Sequence, residues 1–149
     1  MLAKIRSLAV VAWVGALWFA GYVAAPVLFQ MLPKMTAGNV AGRLFEVIAY
    51  LGLVCGAILL LFGLFEAGAK LFKTAYFKLV VAMLLCVGLN HFGVTPIIEA
   101  LKFNHSHVVL QTVGGSFGLW HGVSSVIYLV TSLLGAFLVW HCTQTPCQK

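Results

Sequence analysis

Charged residues divide this chain into four apolar stretches. Ser7–Pro33 contains none, nor do Val47–Phe65 and Leu79–Ile98, and a last uncharged run begins at Phe103. A helix crosses a bilayer with about 20 mostly apolar residues, at a rise of about 1.5 Å each. The pattern predicts spans at about residues 7–29, 44–65, 74–98 and 117–140, with a tail over 141–149. Short connections favour antiparallel neighbours. The expected fold is all-α, an integral membrane four-helix up-down bundle forming a single membrane domain over residues 1–149.

Turn-forming residues set the expected breaks. Pro26 falls near the far end of the first span, where it can end or kink the helix. Leu32-Pro33-Lys34 reads as a loop, and Thr36 as the cap of a short amphipathic stretch leading into the second span. Gly38 and Gly42, Gly52 and Gly56, and Gly114, Gly118 and Gly122 recur every fourth residue. Small residues at that interval let a neighbouring helix come close. No internal repeat is evident, and none of the usual nucleotide-binding or hydrolase motifs is present.

Composition agrees with a membrane setting. Of 149 residues, 62% are apolar and 8% charged, against about 25% charged in soluble domains. The acids are Glu46, Glu66 and Glu99, with no Asp, a poor basis for acid–base catalysis, so a non-enzymatic role is expected. The net charge of +6 does not point to nucleic acid, because the cations lie singly or in small groups at helix ends. Lys4, Arg6, Lys70, Lys73, Lys78 and Lys149 fall on one side of the bilayer, and Lys34, Arg43 and Lys102 on the other. That asymmetry places both termini in the cytoplasm. Lys4 and Arg6 before an apolar run, with Val23-Ala24-Ala25 after it, resemble a signal peptide, but Pro26 is a poor residue after a cut. The segment reads as an uncleaved first helix. Cys55 and Cys86 read as small buried residues, and Cys142 and Cys147 lack the spacing of a redox or zinc motif.

Ionisable groups inside a bilayer are costly and mark candidate sites. His91 falls about 10 Å below the outer end of the third span, and His121 about 6 Å below the outer start of the fourth. Glu46 and Arg43 enter at that level from the second span, with Tyr50 one turn deeper. Asn90, Thr95 and Ser124 add hydrogen-bonding groups. Three readings follow. The groups pair to hold the bundle together; or His91 and His121, with Glu46 near, hold haem b or a transition metal; or Glu46 and a histidine relay protons or a solute. His105 and His107 form a separate loop pair able to bind metal from the surface.

The stretch Trp13-Val14-Gly15-Ala16-Leu17-Trp18-Phe19, with Ala25-Pro26-Val27-Leu28-Phe29 after it, resembles the first helix of a bacterial membrane family of unknown function. A eukaryotic relative of that family is transmembrane protein two-hundred-and-five. Ala37-Gly38-Asn39-Val40-Ala41-Gly42-Arg43-Leu44-Phe45 and Phe117-Gly118-Leu119-Trp120-His121-Gly122-Val123-Ser124-Ser125 carry the same resemblance. It implies a four-helix protein of the bacterial inner membrane with no settled activity. In layout the chain is also similar to the copper-resistance D domain and to small membrane protoporphyrinogen oxidases, which carry haem on helix histidines. Beyond the lipid bilayer, the partners expected are a second copy or another membrane subunit.

Overall fold

A computed structural model describes residues 2–103, 109–110 and 114–144. The loop pair His105 and His107, together with Cys147 and Lys149, lie outside the described residues. Among those described, every regular element is helical: α1 (Leu2–Trp18), α2 (Ala25–Met31), α3 (Lys34–Ala67), α4 (Ala75–Gly88), α5 (Thr95–Lys102) and α6 (Phe117–Gln144). They make four helices long and apolar enough to cross a membrane, Lys4–Met31, Lys34–Lys73, Ala75–Lys102 and Phe117–Thr143. This is the architecture of a multi-pass membrane protein. The proximal end of the bundle carries Lys4, the α3–α4 turn and the end of α6; the other end is called distal.

The turns follow from local chemistry. Pro33 is the last residue before α3, with φ −54° and ψ 141°. The chain therefore reverses within Leu32–Pro33, and Thr36 lies in the first turn of α3 rather than capping it. The second span is one continuous helix from Lys34, longer than the sequence suggests. At its other end Gly68 has φ 54°, a left-handed conformation that costs glycine nothing. Thr74 then caps α4, its side chain accepting from the Phe77 N–H at 3.2 Å.

The first span does not end at Pro26. Proline lacks an N–H, and its ring crowds the carbonyl four residues back. The helix accommodates this by widening. Phe19–Ala24 and Leu89–Val94 are both π-helical, and each stops two residues before a proline, Pro26 or Pro96. The Ala25 and Thr95 N–H groups reach back to the carbonyls of Ala20 and Asn90. Thr95 adds its hydroxyl to the same Asn90 carbonyl at 3.0 Å.

These twin bulges belong to a wider correspondence. In α1 the buried positions include Val10, Trp13 and Leu17; in α4 they are Val80, Met83 and Val87, at the same intervals. In α3 Gly52, Gly56 and Leu59 are buried, and in α6 Thr131, Gly135 and Leu138 match them at one constant offset. The contacts correspond as well. Leu84 of α4 occupies the notch at Gly56, where a Cβ would lie 2.5 Å from Leu84 Cδ2. Val14 of α1, which matches Leu84, occupies the notch at Gly135, with its methyls 3.3 Å from where a Cβ would be. The first two spans and the last two are thus one helical hairpin used twice.

The largest fully enclosed side chains are Trp13, Leu59, Met83, Leu138 and Val80. In lipid, apolar burial between helices gains little, because the tails are as apolar as leucine; close packing holds the helices instead. Gly52 shows the consequence. A Cβ there would fall 2.5 Å from Trp13 Nε1. The glycines at Gly52 and Gly56 therefore receive side chains from two different neighbours, not the backbone of one.

Candidate functional site

The distal polar groups are distributed rather than gathered. Arg43 Nη1 donates to Glu46 Oε2 at 2.8 Å, one turn apart on α3. The arginine side chain is 84% exposed and the glutamate 37%. This pair is local to one helix and leaves Glu46 engaged. His91 lies in the second π segment, its ring edge-on to Tyr50 of α3 at 5.0 Å and to Phe92 at 4.7 Å. The structure thus brings Tyr50 and His91 together. His121, one turn into α6, is exposed and stacks on Phe117 of its own helix at 5.8 Å and 7°.

The expected His91–His121–Glu46 set does not assemble. Among the described residues no three His, Cys, Asp or Glu side chains gather into a group able to hold a metal, and the two imidazoles pack on different rings. His91 has Tyr50 and Phe92 as its ring neighbours, and His121 has Phe117. Thr95 is committed to the Asn90 carbonyl, Asn90 Oδ1 is buried without a partner, and Ser124 is half-buried.

A clasp that the sequence did not announce joins α1 to α6. The Tyr128 hydroxyl donates to the Leu17 carbonyl, just before the first π segment. In the other direction, Trp18 Nε1 donates to the Ser132 carbonyl at 3.3 Å. Gly21 leaves room for the Tyr128 ring, which also meets Phe45 edge-on at 5.2 Å.

The proximal end holds the cluster that sequence reasoning missed. Arg6 of α1 pairs with Glu66 of α3, and its guanidinium lies 5.8 Å from the ring centre of Tyr76 in α4. Tyr76 in turn donates to the Leu59 carbonyl at 3.3 Å. A cavity of about 180 Å³ opens beside them, lined by Arg6, Glu66, Thr74, Tyr76, His141 and Cys142 among others, so all four spans meet there. One signal was available: Glu66 is one of three acids, and it ends the second span on the side where Arg6 begins the first.

One face of α6 stands apart. Gly118, His121, Gly122 and Ser125 fall on one side of the helix, and all four are exposed. Gly122 has nothing within 4 Å of a would-be Cβ, and Gly118 meets only Ser116 Oγ at 4.0 Å. The Ser125 hydroxyl donates to the His121 carbonyl at 2.9 Å, which leaves its oxygen lone pairs free to accept.

Comparison with known proteins places the chain in one family. The model described as "Domain of unknown function (DUF4149)" matches residues 8–107, and the chain belongs to that family. No curated protein and no solved structure matches it.

Proposed function

We propose that this member of the DUF4149 family is a non-enzymatic membrane subunit that works by helix packing, and that the distal half of α6 docks a second copy of the chain. The observation that carries this is the exposed strip of Gly118, His121, Gly122 and Ser125. A histidine turned toward hydrocarbon is costly, and glycines open to lipid gain nothing for the single chain. Against another helix both become useful. The glycines allow close approach, and polar side chains hydrogen-bond across the interface. The strip is also self-complementary: an imidazole N–H can donate to the free lone pair of Ser125 in the other copy, twice, about a two-fold axis.

The two other readings have no comparable support. For a metal held by His91, His121 and Glu46, no group of three such side chains gathers among the described residues. A carrier needs a path to Glu46, and the cavity described above is lined by residues at the other end of the bundle. We also place the protein in the bacterial inner membrane with both termini cytoplasmic, on the charge asymmetry of its ends. A reporter enzyme active only outside the cytoplasm should stay silent when fused after Gln144 and be active when inserted after Met31.

Light scattering in mild detergent tests the docking face. The protein mass should be twice the 16.1 kDa of one chain, and Gly118→Leu with Gly122→Leu should halve it while the helical circular dichroism stays unchanged. A monomeric wild type, or a dimer that ignores both leucines, would overturn the reading.

A further inference from the structure

The turn between the second and third spans is a rigid, strongly basic edge. Gly68–Lys73 is a 3-10 helix that carries Lys70 and Lys73 in its last turn. It is anchored from within: Leu71 is buried at 4% exposure against Gly63, and its carbonyl accepts from the Thr74 N–H at 2.9 Å and the Thr74 hydroxyl at 2.7 Å. A 3-10 helix has three residues per turn, so side chains three apart eclipse one another, about 6 Å apart along the axis. Lys70 and Lys73 therefore stand side by side, both exposed.

Among the described residues no carboxylate pairs with either lysine. Among the described residues the ion pairs are Arg6–Glu66 and Arg43–Glu46, so the nearest acid in sequence, Glu66, is already engaged. Lys4 and Lys78 add two more exposed cations at the same end. The edge also carries apolar groups at the same level. Phe72, between the two lysines, is 56% exposed, and Phe65, at the end of α3, is 79% exposed. The α3 helix alone runs for 34 residues, about 51 Å against about 30 Å of hydrocarbon, so its ends reach the headgroup layer. Paired ammonium groups flanked by exposed phenylalanines match one kind of ligand, an anion attached to acyl chains.

We infer that the Lys70–Lys73 edge binds the phosphate of an anionic phospholipid, with Phe65 and Phe72 against its acyl chains. The phosphate bridges the two eclipsed ammonium groups, and the 180 Å³ cleft lined by Thr74 and Leu71 adjoins the same turn. This site lies at the opposite end of the bundle from the α6 strip and does not depend on the docking proposed there.

Native mass spectrometry of the full chain in mild detergent tests it, with phosphatidylglycerol and phosphatidylcholine supplied in equal amounts. Each lysine near an anionic lipid surface contributes about fivefold in affinity. Phosphatidylglycerol adducts should therefore exceed phosphatidylcholine adducts by at least about tenfold. Lys70→Gln with Lys73→Gln should lower that preference at least about tenfold, while Lys34→Gln, at the distal end, leaves it intact. Equal retention of both lipids by the wild type would overturn the inference, as would a double variant that keeps its preference. Displacement of the lipid by millimolar inorganic phosphate would also overturn it, by showing a site for a free anion.

Discussion

The first hairpin, α1 to α3, and the second, α4 to α6, share a packing plan and fill it with different chemistry. Where the first has Trp13 against Gly52, the second has Met83 and Thr131 at the matching positions. A large rigid ring against no side chain is exchanged for a flexible chain beside a small one, so the occupied volume is kept. Polar groups differ more. Ala20 and Gly21 in the first hairpin correspond to Asn90 and His91 in the second, and Leu53 corresponds to Ser132. The scaffold is common to both halves, while intramembrane hydrogen-bonding chemistry is concentrated in one. Fold and site can therefore be perturbed separately.

Gly52→Leu breaks the comparison most severely. Its side chain would have to displace Trp13, which is fully enclosed. We expect a loss of about 3 kcal/mol or more, seen as loss of a cooperative thermal transition in detergent. An unchanged transition would mean that the notch is not filled as described. Tyr128→Phe comes next, because it removes the hydroxyl that joins α6 to the Leu17 carbonyl. The expected loss is about 1 kcal/mol, read as a lower midpoint with the helical content unchanged.

Arg6→Gln probes the proximal ends, where Arg6 and Tyr76 occupy matching positions in the two hairpins and face each other. The Arg6 and Glu66 side chains are each about a third exposed, so solvent screening leaves well under 1 kcal/mol to lose. High salt should shift the wild-type midpoint toward that of the variant. Asn90→Leu has the smallest effect and the opposite sign. Asn90 Oδ1 is buried without a partner, and replacing it removes a desolvation cost. The midpoint should hold or rise slightly; a clear fall would assign Asn90 a partner outside this chain.

The spans were legible because charge marks their ends. Lys34, Lys70, Lys73, Lys78 and Lys102 bracket the apolar runs, and the structure differs mainly by carrying the helical segments out to these charges, over Lys34–Lys73 and Ala75–Lys102. The π segments were not legible. Pro26 and Pro96 signal a break, but a helix surrounded by others absorbs a proline by widening one turn instead of stopping. The repeat escaped notice for a related reason. Packing conserves volume rather than residue type, so Trp13 and Met83 match in the bundle and not on the page. Depth predicted from rise per residue does not tell which way a side chain turns: His91 meets Tyr50 and Phe92, and His121 stacks on Phe117. Arg6 and Glu66 come from opposite ends of a hairpin, and only the antiparallel return of α3 brings them together.

The claim that most needs testing is that α6 meets a second copy along Gly118, His121, Gly122 and Ser125. Disulfide trapping in intact membranes tests it directly, with Cys55, Cys86, Cys142 and Cys147 replaced by alanine and single cysteines introduced one at a time. A disulfide requires Cα atoms within about 7 Å. Gly122→Cys and Ser125→Cys should give a covalent dimer, and Phe137→Cys, exposed near the other end of α6, should not. Equal trapping at all three positions, or none at Gly122 and Ser125, would contradict the account.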